Sequence, residues 1–542
     1  MAILIETNEY QTPITEELLS QYPEEVVQQF TEIVNIVPFI KNLINPNRPK
    51  IEDLPRDKEG RAIVDITNPP IYKDADYFRQ AALFYLKNDC YTKLRPNSNP
   101  NSEYRKYWRE ELRRCREGLI RQSDGMYVTG FLYWFLNYCP MMVNFYKEGQ
   151  KKAIRKESFG FFFEGIWWRS IYLYNAREQG HHAIELAKRG CGKSIFLSAI
   201  MSHNLIVGES EATHKRCITV LTAAQKEYLK DDKDGTLNKF IPELSFVIDN
   251  TPFPNLLLKN SPNEMSWQMG YKKPNGAIGG SMNQVLGVSA KDDSDKLRGK
   301  RGWILYEEMG TFDGLLELYD VTRKSVEDGD YTFACQYLVG TANNKESSFL
   351  SAKKLLYAPE SYNIQSVSNV YDKKGSGKDT FGFFFPSYIN RAGCYNKDGI
   401  SDVIKALLQV LMARYKAKYG ADPTSVLRVI AEDPITPAEA IIKVKDAYFP
   451  VASLQERADT LDKNPSLYDD IYVGELYTTG TGEIEFRPTD DIPIRTYPVD
   501  NDTKGALEIY SMPKKDREGK VFNDRYIIGV DPKSLGLILV IK

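Results

Sequence analysis

The chain has little sulfur and little imidazole: seven cysteines and four histidines in 542 residues. No Cys-x-x-Cys pair occurs, so neither a disulfide framework nor a zinc site is expected, and the usage suits a reducing cytoplasm. Net charge is only −2, so no global basic field draws in nucleic acid. Binding to nucleic acid must then rest on local patches and be sensitive to salt. Long apolar runs are also missing. The richest, Phe131–Met142 and Phe159–Trp168, are broken by Asn137 and Glu164 and fall short of a membrane span, so their aromatic density reads as core. Met1–Glu6 is too short an apolar run for a secretory leader and has no basic region. No internal repeat occurs. The length itself suggests three or four domains with ample core.

What is present centres on Ala187-Lys188-Arg189-Gly190-Cys191-Gly192-Lys193-Ser194. The apolar run His182–Leu186 predicts a strand leading in, and Ile195–Met201 predicts a helix leading out. Strand, glycine-rich turn, Lys-Ser and helix make a cradle for phosphate, in which backbone N–H groups and a helix N-terminus face the anion. The lysine neutralises it and the hydroxyl holds Mg²⁺. Lys188 to Ser194 are therefore the candidate ATP-binding residues, with Cys191 contributing its backbone N–H. Ala187 stands where the full pattern has glycine, and an ordinary strand-to-helix turn with a solvated lysine is the competing reading. A second Gly-Lys, at Gly377-Lys378, lacks the hydroxyl residue and reads as a flexible loop.

A partner lies further along. Gly302–Gly310 is a short apolar strand ending in Glu307 and Glu308. A carboxylate near a γ-phosphate is electrostatically awkward unless a metal and a lysine offset it, so this motif and the phosphate loop need each other. Glu307 takes the Mg²⁺ side, where aspartate is more usual, and Glu308 the catalytic side. Two further strands, Arg216–Thr222 and Cys335–Ala342, complete a pattern of strands alternating with helices. That pattern predicts a parallel sheet with ligands beyond the strand carboxyl ends. Thr341 either senses the γ-phosphate or simply ends its strand.

In this order the residues resemble the large terminase subunit of tailed bacteriophages, an ATP-driven DNA-packaging motor. Arg189–Ser194 looks like the family's deviant phosphate loop, and Leu297–Arg301 like its Arg-Gly lead-in. Ile304–Glu308 looks like its strand with paired acids, and Gly340–Asn343 like its coupling motif. Asp433–Ala440 is similar to the segment ahead of its nuclease, and Tyr526–Pro532 to the first strand of its RNase H-like nuclease. The resemblance spans about residues 150 to 532. It implies an α/β P-loop NTPase of the additional-strand, RecA-like type, a parallel sheet flanked by helices, with an N-terminal extension and a smaller second subdomain. It also implies roles. Arg189 acts as a finger in cis on the γ-phosphoryl and Lys193 holds the β/γ-phosphates. Ser194 and Glu307 share the Mg²⁺ shell, Glu308 activates water, and Thr341 and Asn343 couple hydrolysis to a DNA grip. The implied cofactors are ATP and Mg²⁺. The implied partners are double-stranded DNA, the procapsid portal protein and the small terminase subunit, with a homo-oligomeric ring on the portal. The implied place is the cytoplasm of the infected host and, transiently, the procapsid, but not the mature virion.

Asp531 is the first nuclease acid in this comparison, and the sequence stops at Lys542, eleven residues later. One carboxylate cannot clamp two metals. Nuclease activity is therefore not expected of these 542 residues, and two divalent metals are expected only if the rest of that domain is supplied. The expected segments are 1–150, an N-terminal extension of helix and loop and a candidate docking region; 151–360, the ATPase core; 361–450, a second ATPase subdomain; 451–523, a linker region; and 524–542, the start of the nuclease. Within them, Thr15–Val37 and an amphipathic run from Val403 to Met412 are predicted helical, and Thr436–Glu439 has a capping-box pattern. The basic run Arg105–Arg116 carries glutamates at helical spacing and reads as a salt-bridged helix; Arg298, Lys300 and Arg301 form a second candidate DNA patch. Two other functions remain open: a different P-loop DNA translocase or helicase, and a non-catalytic scaffold with a degenerate ATP site.

Overall fold

The computed structural model describes residues 6–146, 152–208, 216–231, 235–290, 294–341, 346–372, 379–420, 425–441, 472–482, 484–489, 507–509, 527–530 and 538–541. The chain divides into two compact units, Met1–Asp446 and Ala447–Lys542.

The first unit is built on a sheet of eight strands. In chain order these are β1 (Ala183–Ala187), β2 (Ile218–Ala223), β3 (Leu257–Ser261), β4 (Ser266–Met269), β5 (Gln284–Ser289), β6 (Trp303–Tyr306), β7 (Gln336–Gly340) and β8 (Phe383–Phe385). Their spatial order is β8-β1-β7-β6-β2-β5-β4-β3. The six strands from β8 to β5 run parallel, and β4 and β3 extend the sheet antiparallel. β1, β6, β7 and β8 are buried along their whole length, as strands of a parallel sheet are. Of the helices in this unit, α1 (Glu164–Glu178) packs on β1 and β8 and α2 (Lys193–Ile206) on β2, β4 and β5; α3 (Thr236–Asn250), α4 (Leu315–Val326), α5 (Val403–Lys418) and α6 (Ser425–Glu432) follow in chain order. β6, which leads into Glu307 and Glu308, is not beside β1; β7 lies between them.

The N-terminal segment is folded into this unit. The helix predicted over Thr15–Val37 is two, Glu16–Ser20 and Glu24–Ile36, because Pro23 interrupts it. Gln11 donates to the Ser401 carbonyl at 3.0 Å and accepts from Val403 N–H at 2.8 Å, and Thr12 donates to Asp402 at 2.5 Å. Arg48 and Glu164 form a fully buried ion pair at 2.9 Å, and the second Glu164 oxygen accepts from Ser401 N–H at 2.8 Å. The boundaries expected near residues 150 and 360 both fall inside this unit.

The aromatic helix Gly130–Tyr138 is buried at every position. The basic run is the helix Glu103–Glu117, where Arg113 pairs with Glu110 and Glu117, and Arg114 with Glu110 and Glu111. Among the described residues no helix is long and apolar enough to cross a membrane. In the second unit Tyr472–Thr478 is the middle strand of a three-stranded antiparallel sheet with Ile484–Pro488 and Leu507–Ile509, and Ile527–Val530 pairs antiparallel with Ile538–Ile541. Gly375–Lys378, Asn343 and Asp531 lie outside the described residues.

Candidate active site

β1 ends at Ala187 and α2 begins at Lys193, so the predicted phosphate loop occupies 188–192 at the carboxyl edge of the sheet. Gly190 and Gly192 adopt φ of 72° and 78°, which only glycine takes without strain, and a Cβ on either would meet nothing within 4 Å. The loop is therefore open on that side. Ala187 is still a strand residue, paired with Phe385, so its position needs no glycine.

The loop is fastened from beneath. Arg169 of α1 forks onto Glu185 of β1 at 2.6 and 2.8 Å, and its guanidinium also donates to the Cys191 carbonyl at 3.2 Å and to Cys191 Sγ at 3.3 Å. Tyr337 of β7 donates to the same Glu185 at 2.5 Å. Arg169 and Glu185 are buried, so each charge depends on the other. The signal for this pair is a glutamate inside the apolar strand Ala183–Ala187, which demands a buried cation from elsewhere. Replacing Arg169 with Ala strands the Glu185 charge and should cost roughly 3–5 kcal/mol of stability. Denaturant unfolding checks this, and a loss below about 1 kcal/mol, the worth of an exposed pair, would contradict it.

Lys188 points its ammonium at the carbonyls of Ile389 and Ser387, at 2.5 and 3.4 Å, and its N–H donates to Phe385 O at 3.1 Å. Burial pulls its pKa down to about 8. The side chain thus ties the loop to the segment after β8. Arg189 is exposed, 3.5 Å from Glu432 at the end of α6. Lys193 is buried, with its ammonium 3.3 Å from the Lys188 carbonyl across the loop.

Opposite stands the acid pair. Ser194 Oγ donates to Glu307 Oε1 at 2.5 Å, and Glu307 N–H donates to Thr222 O at 2.8 Å. Glu307 is buried and its Oε2 has no hydrogen-bond partner. Burial pushes this carboxyl up to about 7; the Glu308 charge adds to the rise, and the Ser194 hydroxyl and Lys193 oppose it. A hydroxyl and a carboxylate with an orphaned oxygen are hard donors of the kind Mg²⁺ takes, so the residues present fit that ion.

Glu308 sits at φ 51°, ψ 60°, a left-handed conformation that costs a glutamate roughly 1–2 kcal/mol. Such strain persists only where surroundings enforce it. Here Thr341 does so from the end of β7: its N–H and Oγ both donate to Glu308 Oε2, at 3.2 and 3.1 Å. Gly340 allows the approach, since a Cβ there would lie 2.8 Å from Met309 N. Lys193, Ser194, Glu307, Glu308 and Thr341 are thus gathered around the carboxyl ends of β1, β7 and β6. Arg298, Lys300 and Arg301 precede β6, at the amino end of the strand whose other end carries Glu307.

No family model and no curated protein matches the chain. Among solved structures it is similar to the large terminase ATPase domain of Thermus phage P74-26, at 12% identity and a TM-score of 0.33 over 49% of this chain and 92% of that one. A mutant of that domain gives 11% and 0.33 over the same shares. The large terminase of bacteriophage HK97 gives 12% and 0.29, over 53% of this chain and 51% of that one.

Proposed function

We propose that this chain is a Mg²⁺-dependent ATPase that drives double-stranded DNA into a procapsid, as a terminase large subunit. The observation that carries the ATPase part is the 2.5 Å contact between Ser194, in the first turn of α2, and Glu307, at the end of β6. Two residues 113 apart in sequence meet beside a lysine and an open glycine loop, as shared coordination of one cation requires.

In this reading the N–H groups of Gly190 to Lys193 and the α2 N-terminus receive the β-phosphate, and Lys193 moves from the Lys188 carbonyl onto the β/γ-oxygens. Ser194 and Glu307 hold Mg²⁺, which when bound neutralises charge on the phosphate oxygens. Glu308, with one oxygen fixed by Thr341, accepts a proton from the attacking water at the other. Loss of the γ-phosphate then frees Glu308 to pull on Thr341, and through it on β7 and the coupling segment with Asn343. Arg189 swings from Glu432 to the γ-phosphoryl. Duplex DNA, the portal, the small terminase subunit and a ring of copies come to this chain from the order of its motifs; Asp531 would serve a nuclease only with further acids.

Steady-state hydrolysis by the purified chain with and without linear duplex DNA tests the motor. Stimulation by DNA that fades with added salt is expected. Equal rates at low salt, at every DNA length, would overturn the motor and leave only an ATPase.

A further inference from the structure

β6, β2 and β5 begin, and β4 ends, at the edge of the sheet opposite the phosphate loop, and the four are adjacent in the order β6-β2-β5-β4. Cations stand along that edge. Arg301 lies two residues before β6 and Arg216 two before β2, and both are exposed. Gly302 brings their segments together: a Cβ on it would lie 2.3 Å from the Ile218 carbonyl oxygen, so the chain at Arg301 runs against the start of β2. Between β4 and β5 the chain leaves as an antiparallel ribbon, Tyr271–Lys272 against Ile278–Gly279, closed by Lys273 N–H donating to Ala277 O at 2.8 Å. Residues 271–280 are exposed apart from the half-buried Gly279, include Lys272 and Lys273, and contain no acid. The base of the ribbon is tied to β2, since Arg216 N–H donates to Ser281 O at 2.7 Å.

We propose that this edge grips the phosphate backbone of duplex DNA through Arg216, Lys272, Lys273 and Arg301. The proposal rests on the motor reading and adds where the track runs: at the far end of β6 from Glu307, roughly 20 Å away by strand rise.

Three observations carry it. The first is unpaired charge. Among the described residues no carboxylate pairs with any of the four. Arg298 nearby is paired with Asp295, and the exposed basic helix Glu103–Glu117 neutralises Arg113 with its own glutamates. The second is spacing. Neighbouring strands lie ~4.8 Å apart, so four adjacent strands spread these cations over ~14 Å, about four base-pair rises. The third is shape. A two-stranded ribbon is of the size that the major groove admits. This one keeps apolar side chains in solvent, with Tyr271 and Ile278 44% and 52% exposed. A Cβ at Gly279 would be 2.7 Å from the Tyr271 ring, so glycine there lets the ring lie across the ribbon beside the lysines. Contacts from such side chains to phosphate and sugar fix position without reading sequence, as a track of any sequence requires.

The test is fluorescence anisotropy of a labelled linear duplex with the full chain, titrated over salt concentration. Lys272→Ala with Lys273→Ala should weaken binding roughly 30–100-fold near ~0.1 M salt and lower the slope of log affinity against log salt by about 2. Arg216→Ala and Arg301→Ala should each lower the slope by about 1, and the losses should be equal on a second, unrelated sequence. Lys272→Arg with Lys273→Arg should keep wild-type affinity. Arg113→Ala removes charge from the paired helix and should leave the slope unchanged, and thermal melting checks that every variant is folded. Wild-type affinity and slope in the double alanine variant, or an equal fall in Arg113→Ala, would overturn the grip and leave this edge to an acidic protein surface. Failure of wild type to bind duplex at low salt would overturn the motor reading, and this proposal with it.

Discussion

Glu308→Gln should bind ATP as wild type does and hydrolyse it ~10²–10⁴-fold more slowly, the usual loss when a positioned general base is removed. The two donors on Glu308 Oε2 are the N–H and hydroxyl of Thr341, and a glutamine carbonyl accepts both. The left-handed backbone is unaltered, so side-chain position survives while basicity is lost. On the proposed reading, binding depends on other groups, the loop N–H donors, Lys193 and Ser194, whereas the side-chain partner of Glu308 is Thr341. Rapid-quench hydrolysis beside equilibrium ATP titration separates the two effects. A variant that hydrolyses ATP at the wild-type rate would remove Glu308 from the chemistry and leave Thr341 without a state to report.

Arg189→Ala is expected to slow hydrolysis by ~10³–10⁵-fold, the range for an arginine that meets charge developing on a transferring phosphoryl group. The guanidinium and its partner Glu432 are 69% and 43% exposed and 3.5 Å apart. An exposed pair of this kind contributes about 0–1 kcal/mol, so little holds Arg189 away from an arriving γ-phosphate. Loss of a contact made chiefly in the transition state lowers kcat far more than ATP affinity, and that is the split expected here. A fall confined to affinity would make Arg189 a ground-state phosphate ligand, and an unchanged kcat would remove it from the site. Lys188, one residue earlier, is expected to behave differently. Its ammonium is already committed to the Ile389 and Ser387 carbonyls, so its removal acts through loop position.

The local motifs were legible because local geometry creates them. Glycines at 190 and 192 announce backbone that only glycine adopts, and the apolar pattern of Ile195–Met201 announces the helix that begins at Lys193. Glu307 and Glu308 stand out as acids closing an apolar strand. What sequence pattern did not give is what only the assembled sheet decides. Strand order is one case: β7 follows β6 in the chain yet inserts between it and β1, which is how Thr341 reaches Glu308. The Arg169–Glu185–Tyr337 fastening is another, because its members come from a helix and two strands and only Glu185 looks out of place locally. The direction of Lys188 was hidden for the same reason, since its partners lie about 200 residues away. Aromatic density before the loop signalled core, and Gly130–Tyr138 is core. The half-buried rings of Phe161 and Phe163 could not be told from it by composition. Nor could the N-terminal segment be placed by pattern, because Gln11, Thr12 and Arg48 act on Asp402, Ser401 and Glu164 across long sequence separations.

Phosphate release by the purified chain, measured over ATP and Mg²⁺ concentration for wild type and Lys193→Ala in parallel, tests the central claim most directly. Saturable, Mg²⁺-dependent hydrolysis by wild type is expected, with the variant below detection, since on the proposed reading Lys193 is the loop ammonium that neutralises the β/γ-phosphates. Wild-type turnover in Lys193→Ala, or turnover indifferent to Mg²⁺, would contradict the assignment of Ala187–Ser194 and Glu307 as a Mg²⁺–ATP site.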